Sequence, residues 1–90
     1  PGLCFLSSPV VEEFVGAQYR YPARADFNQS GGPLRYRLVE GPAWLRVEEG
    51  SGLVWGIPEE VGEVEVEIEA HDEAGETAQQ RYTLYVLPVL

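Results

Sequence analysis

A strict alternation of charged and apolar residues constrains the fold of this chain more than any other feature. Glutamate occupies every second position from Glu63 to Glu69, and valine or isoleucine occupies the positions between them. Successive side chains of a β-strand point to opposite faces, whereas a helix would spread these residues around its circumference. Residues 63–70 therefore predict a strand with one buried and one exposed face.

Further short apolar segments, several with the same period of two, occur along the chain: 9–15, 18–25, 34–38, 44–47, 53–55 and 78–86. About seven short strands at spacings near ten residues, without a helical period, indicate an all-β, antiparallel sandwich. Two sheets of this kind are expected to enclose one core of large side chains: Trp44, Trp55, Tyr19, Tyr21, Tyr36, Leu38, Leu45, Val64, Val66, Ile68, Leu84 and Val86.

If the sandwich resembles the immunoglobulin-like arrangement, the glutamate-rich strand is expected at the centre of its sheet, between the strand at 34–38 and the last strand. Opposite charges that face each other across a sheet contribute a few tenths to about 1 kcal/mol each. We therefore predict a surface ladder of glutamates against arginines, formed by Glu65, Glu67 and Glu69 with Arg35, Arg37 and Arg81.

Both tryptophans lie in residues 41–58, which predict a β-hairpin. Its strands are 44–47 and 53–55, and the sequence Glu-Gly-Ser-Gly between them tolerates the positive φ angles of a tight turn. A Gly-Pro pair precedes the hairpin and Gly-Ile-Pro follows it, and neither continues a paired strand well.

This hairpin sequence, G-P-A-W-L followed by G-L-V-W-G-I-P, resembles the signature of the dystroglycan-type cadherin-like domain, an immunoglobulin-like domain family. Four other segments resemble the family's remaining motifs in the same order: 15–21, 34–38, 63–75 and 82–86. The resemblance covers about residues 9–88 and implies an immunoglobulin-like or cadherin-like Greek-key β-sandwich.

Residues 1–8 lack the alternation and predict a linker, or the tail of a preceding segment, ahead of the domain at 9–88. They contain the only cysteine, Cys4, which cannot form an internal disulfide. The alternative to a plain linker is an exposed thiol that pairs with another molecule or carries a lipid. The Pro-Gly-Leu before Cys4 does not resemble a lipoprotein cleavage site.

The amino-acid composition and net charge disfavour some classes of binding partner. The chain carries 15 acidic residues against 6 arginines, a formal charge of −9. This charge disfavours nucleic-acid phosphates and anionic membrane surfaces, and no apolar run reaches the roughly 18 residues of a spanning helix. We expect neither a nucleic-acid partner nor direct membrane insertion. Because methionine is absent, we expect the sequence to be one domain of a longer protein.

Catalytic signals are weak. His71 is the only histidine, and it is expected at the end of an exposed strand on the face that carries the glutamates. Its neighbour Asp72 would point to the other face, and no serine shows the spacing of a nucleophile elbow. The sequence has no phosphate-binding loop, dinucleotide fingerprint or Cys/His metal cluster. We expect no catalytic activity and no resident cofactor.

Calcium is the one metal that the resemblance suggests, because cadherins bind it at domain junctions. The candidate ligands are Asp26, Asn28 and Asp72, in two loops. Calcium takes six to eight oxygen ligands, and the long acidic motifs of true cadherin junctions are absent here. Asp26 and Asp72 can equally bond their own backbone in turns, and both interpretations stay open. The glutamates of 63–70, roughly 6.5–7 Å apart on one face, are better explained as a solvated surface.

The resemblance implies a non-catalytic extracellular or cell-surface module, one of several possible repeats in a larger, membrane-associated protein. Its role would be as a spacer, in adhesion or in protein interaction, and its partner another protein or a neighbouring repeat of the same chain. The alternative is a carbohydrate-binding appendage of a secreted enzyme. Trp55 and Tyr85 are the candidate aromatics, since sugar rings stack on flat aromatic faces; exposed rings would favour this alternative.

Overall fold

The computed structural model describes residues 2–26 and 31–90. Within these residues it contains nine β-strands and no helix, and so no helix that could cross a membrane. In chain order the strands are β1 (Cys4–Phe5), β2 (Glu12–Phe14), β3 (Tyr19–Pro22), β4 (Ala25–Asp26), β5 (Arg35–Glu40), β6 (Leu45–Val47), β7 (Leu53–Gly56), β8 (Gly62–His71) and β9 (Thr77–Leu87).

Two sheets form the body of the molecule. One has the strand order β2-β9-β8-β5 and the other β3-β7-β6, while β1 and β4 form a separate pair. The seven strands of the larger sheets confirm the predicted all-β sandwich, with the glutamate-rich strand β8 between β5 and β9. One pairing departs from the predicted antiparallel arrangement, because β2 runs parallel to β9. After β2 the chain crosses to the other sheet instead of turning back in a hairpin, and parallel pairing becomes possible.

Inward-facing residues of both sheets form the core, as the alternation predicts. Its buried residues are Tyr19, Tyr21, Ala23, Leu45, Val54, Val66, Ile68, Tyr82, Leu84 and Val86. Trp44, Leu38 and Val64 are partly buried against this core. The prediction that Trp55 lies in the core is wrong, because Val54 occupies the inward position and successive residues of a strand alternate between faces.

The predicted charge ladder forms only in part. Arg37 donates to Glu69 across the β5–β8 pair at 2.8 Å, and Arg81 lies 3.5 Å from Glu67. Arg35 instead approaches Glu49 of the hairpin turn at 3.5 Å, and stands opposite His71 in the sheet register. Glu65 faces Thr83 and accepts a hydrogen bond from its hydroxyl at 2.7 Å. A register shift in β5 also brings Glu40 opposite Glu67.

Residues 3–6, within the segment 1–8 predicted as a linker or the tail of a preceding segment, pack onto the sandwich, and the domain bounds stay a prediction. Cys4–Phe5 pair with Ala25–Asp26, and Leu3 is buried in a second apolar cluster with Tyr36 and Ala70. The Leu6 amide also donates to the Arg24 carbonyl oxygen at 2.8 Å. These contacts are with residues far along the chain, and local alternation does not reveal them.

Candidate functional site

The outer face of the three-stranded sheet carries an aromatic residue between two cations. Trp55 of the central strand β7 stands opposite Arg20 of β3 on one side and Arg46 of β6 on the other. Residues paired in this way across a sheet share one face, and neighbouring strands lie about 4.7–4.9 Å apart. We call these three residues the Arg–Trp–Arg row.

The two arginines of the row differ from the others in their charge environment. Arg20 and Arg46 are exposed, and neither forms an ion pair within residues 2–26 and 31–90. The remaining four arginines all lie within 4.0 Å of a carboxylate: Arg24, Arg35, Arg37 and Arg81. The row is therefore a local concentration of uncompensated positive charge on an acidic domain.

Apolar residues lie beside the row. Leu53 is two positions before Trp55 on β7, so it shares the outer face, and it stands opposite Pro22. Ile57, two positions after Trp55, is 53% exposed. The face combines a central ring and aliphatic neighbours with a guanidinium on either side.

Sequence reasoning recognised parts of this surface but not the whole. Alternation alone places Arg20 opposite to Tyr19 and Tyr21, hence outward, and Trp55 is a candidate sugar-binding aromatic. The side-by-side placement of Arg20, Trp55 and Arg46 depends on how β3 and β6 pair with β7, which no local pattern encodes.

Tyr85, the other aromatic candidate, lies on the opposite sheet. It belongs to β9, stands between Glu12 of β2 and Glu63 of β8, and is 43% exposed. The outer faces of two packed sheets point away from each other. Tyr85 and Trp55 therefore do not form a single platform, and the setting of Tyr85 is acidic.

The calcium candidates have partners of their own. Asp72 is 4% exposed, and its Oδ1 accepts hydrogen bonds from the amides of Ala74 at 3.0 Å and Glu76 at 2.9 Å. Its Oδ2 is buried and has no hydrogen-bond partner among the residues that the structure describes. Asp26 accepts a hydrogen bond from Arg24 at 3.0 Å. The contacts of Asp72 are those of a turn residue that bonds its own backbone.

Asn28, the third calcium candidate, lies outside the described residues. Among the described residues, no three Asp, Glu, His or Cys side chains are grouped to hold a metal ion. Calcium binding stays a prediction, and thermal unfolding with calcium and with a chelator tests it. A ligand at a hundredfold excess over its Kd stabilises the folded state by about 2.7 kcal/mol, so superimposable curves would exclude tight binding.

His71 does not share a site with its neighbour Asp72. It ends β8 between Arg35 of β5 and Thr77 of β9, and the Asp72 carboxylate is held by amides of the following turn. The described part of the surface has no pocket beside it. Glu69 interacts electrostatically with His71, but its carboxylate already accepts hydrogen bonds from Arg37 and Gln79, and within the described residues no hydrogen bond joins His71 to a base or acid.

Buried tyrosines anchor the first residues to the core. The Tyr19 hydroxyl donates to the Val10 carbonyl oxygen at 2.6 Å. The Tyr21 hydroxyl donates to Gln80 Oε1 at 2.6 Å and lies 2.7 Å from Ser7 Oγ. These bonds hold residues 7–10 against the sandwich and satisfy hydroxyls that burial would otherwise leave unpaired, so they are structural.

Comparison with known proteins supports the fold. The chain is similar to part of a putative alpha-galactosidase from Bacteroides fragilis, with a TM-score of 0.76, 12% identity, and coverage of 90% of this chain and 16% of that one. It is also similar to part of a putative alpha-galactosidase/melibiase from the same organism, with a TM-score of 0.79, 18% identity, and coverage of 94% and 17%. Identities this low show the shared fold alone.

Sequence comparison identifies the family more directly. No curated protein matches the chain. A family model described as "Putative Ig domain" matches residues 4–87. The match begins at Cys4, which agrees with the pairing of β1 onto the sandwich, and the narrower dystroglycan-type, cadherin-like naming stays a prediction. Because the matched segment spans nearly the whole sequence, the chain belongs to this immunoglobulin-like domain family.

Proposed function

We propose that this domain is a non-catalytic spacer and protein-interaction module of a larger protein. The observation that carries the proposal is the placement of the two ends of the fold. The Leu3 amide donates to Glu76 Oε2 at 3.2 Å, beside the β8–β9 turn, whereas the last strand ends at Leu87. With 11 residues in β9 and a rise of about 3.3 Å per residue, these ends are about 33 Å apart.

The domain is elongated and its two ends lie at opposite poles, which suits a spacer that keeps neighbouring segments a fixed distance apart. The principal extents are 48 × 19 × 17 Å. Segments attached at the two ends would be held apart by the length of the sandwich, and repeats joined in series would add their lengths. Paired, hydrogen-bonded strands run between the ends, so the separation is rigid compared with that of a flexible linker.

A tandem of two copies tests the spacer role. Small-angle scattering of two copies joined end to end should give a maximum dimension close to twice that of one copy. The matched control joins the same copies through a long Gly/Ser linker, which should broaden the distance distribution. A directly joined tandem no longer than a single copy would show that the domains fold back on each other, and would contradict the proposal.

We propose an extracellular or cell-surface setting, with another protein or a neighbouring repeat as partner. The family resemblance supports this setting. Cleavage of the full-length parent by a protease added to intact cells would test it, with a cytoplasmic protein as the control. Protection of the parent until the cells are lysed would contradict the proposal.

A carbohydrate-binding appendage is the second candidate function, supported by the place of Trp55 on the outer face of its sheet, where its side chain is half-buried. Domains with this fold also occur in two chains described as putative alpha-galactosidases. Affinity electrophoresis through gels that contain neutral or acidic polysaccharides would test this candidate. Unchanged migration in every gel would contradict it and leave the spacer proposal intact.

A further inference from the structure

We propose that the Arg–Trp–Arg row binds carboxylate-bearing carbohydrate. A sugar ring would stack on Trp55, and its carboxylates would pair with Arg20 and Arg46. The inference rests on the second candidate function, carbohydrate binding, and adds to it a site and a chemical class of ligand.

Charge is the first argument. On a domain with a net charge of −9, exposed arginines normally find carboxylate neighbours, and four of the six do. Within the described parts of the chain, Arg20 and Arg46 do not, even though Glu48 lies two residues from Arg46. Glu48 instead accepts a hydrogen bond from Ser51 Oγ at 2.6 Å. A guanidinium without an ion-pair partner presents a planar set of N–H donors, which can form two parallel hydrogen bonds to the carboxylate of a ligand.

Shape is the second argument. The row crosses the three strands of the sheet on its outer face, with the half-buried Trp55 at the centre. Each guanidinium starts from a strand about 4.7–4.9 Å to one side of the ring. A pyranose ring over the indole would therefore find cationic donors on both flanks, where carboxylates of the same or the next sugar would lie. Leu53 and Pro22 extend the apolar floor on which C–H groups can pack.

Other polyanions fit this surface less well. Nucleic acids gain most of their affinity from many phosphate contacts, and two arginines on a strongly acidic domain offer few. The acidic residues of a peptide could reach the two guanidinium groups, but they carry no ring of their own to place on Trp55. A sugar acid uses the aromatic face and both cations together.

The probe that tests this inference is polygalacturonate, compared with its fully methyl-esterified form, which keeps the sugar rings and masks the carboxylates. Binding to the 90-residue chain would be followed by affinity electrophoresis and by tryptophan fluorescence. We expect binding of the acid form and at least a tenfold weaker interaction with the ester. Arg20→Gln and Arg46→Gln should each weaken binding of the acid form about tenfold.

Two further variants distinguish binding at this site from the effects of lost positive charge elsewhere and of unfolding. Arg35→Gln removes the same charge from the other sheet and should leave affinity unchanged. Trp55→Phe keeps an aromatic β-former and should weaken binding without unfolding the domain, which circular dichroism would verify.

Each alternative outcome overturns the inference in a distinct way. Equal binding of the acid and the ester would indicate a neutral-sugar site and retain the carbohydrate candidate. Equally tight binding of polyglutamate would identify an acidic-peptide surface. Binding that survives both arginine substitutions, or that Arg35→Gln weakens equally, would refute the site. No binding to any polysaccharide would refute both the inference and the carbohydrate candidate, but not the spacer proposal.

Discussion

At the scale of single residues, the strongest constraint inside the sandwich is a pair of buried tyrosine hydroxyls. Tyr19 of one sheet and Tyr82 of the other lie 2.8 Å apart, and Tyr19 also donates to the Val10 carbonyl oxygen at 2.6 Å. Since Tyr19 has one hydroxyl proton, it accepts from Tyr82. The pair therefore joins the two sheets and holds the segment before β2.

Tyr19→Phe should destabilise the domain by about 1–3 kcal/mol, because it leaves a buried hydroxyl and a carbonyl oxygen without their partner. Urea unfolding followed by circular dichroism would measure the change. Tyr85→Phe is the matched control, since Tyr85 is 43% exposed, and it should change stability by less than about 0.5 kcal/mol. Equal effects of the two substitutions would contradict the role of the buried pair.

The same pair predicts loss of stability in alkali. Burial raises the pKa of Tyr82 from 10.0 to about 12, and raises that of Tyr19 as well. The unfolded chain loses these protons first, so their contribution is complete below about pH 10 and is lost as the pH rises toward 12. Tyrosinate absorbance of these residues should therefore appear together with loss of circular dichroism. If every tyrosine ionises while circular dichroism still reports a folded domain, this prediction is wrong.

At the scale of elements, the β6–β7 hairpin depends on one glycine of its turn. Gly52 has a φ of +82°, a region that residues with a Cβ rarely adopt. A Cβ there would lie 2.5 Å from the Ala23 carbonyl oxygen and 3.2 Å from the Tyr36 ring. The glycine thus permits both the turn and close packing of neighbouring segments.

Gly52→Ala should lower the free energy of unfolding by about 1–3 kcal/mol, because backbone strain and the clash with a carbonyl oxygen act together. The midpoint of thermal unfolding would report the loss. Gly50→Ala in the same turn is the control: no atom lies within 4 Å of its added Cβ, and its φ is not positive. If Gly52→Ala leaves the midpoint of thermal unfolding unchanged, the turn can rearrange without loss of stability, and the prediction is wrong.

At the scale of the whole molecule, net charge opposes the compact state. The formal charge is −9 at pH 7 and the isoelectric point is about 4.4. The arginines that form ion pairs are largely exposed, and exposed pairs contribute little, about 0–1 kcal/mol each. General repulsion among the excess carboxylates therefore outweighs the ion pairs in the response to salt.

Raising sodium chloride from about 0.01 M to about 0.5 M at neutral pH should stabilise the domain, because the screening length falls well below the size of the molecule. A gain of about 0.5–1 kcal/mol corresponds to a rise of about 2–8 °C in the Tm measured by calorimetry. Near pH 4.4, where net charge vanishes, the same salt should have little effect. A Tm that falls with salt at neutral pH would show that the ion pairs dominate.

The sequence by itself determined seven of the nine described strands, the sandwich class and most of the core. The alternation in β8 and β9 is local, and it specifies which side of each strand is apolar regardless of the partner. The turn at Gly52 was predictable in the same way, since both are properties of one strand or one hairpin. The central position of β8 was expected from the immunoglobulin-like arrangement, and the contact of Arg37 with Glu69 depends on the register between β5 and β8.

The tertiary structure alone decided the features that depend on strand register or on contacts between residues far apart in the chain. Pairing between β3, β7 and β6 turned Trp55 outward and placed Arg20 and Arg46 beside it. The parallel pairing of β2 with β9 and the packing of Leu3 likewise join residues more than seventy positions apart. Such contacts form because the assembled core selects one register among several that alternation allows, and a period of two cannot distinguish between them.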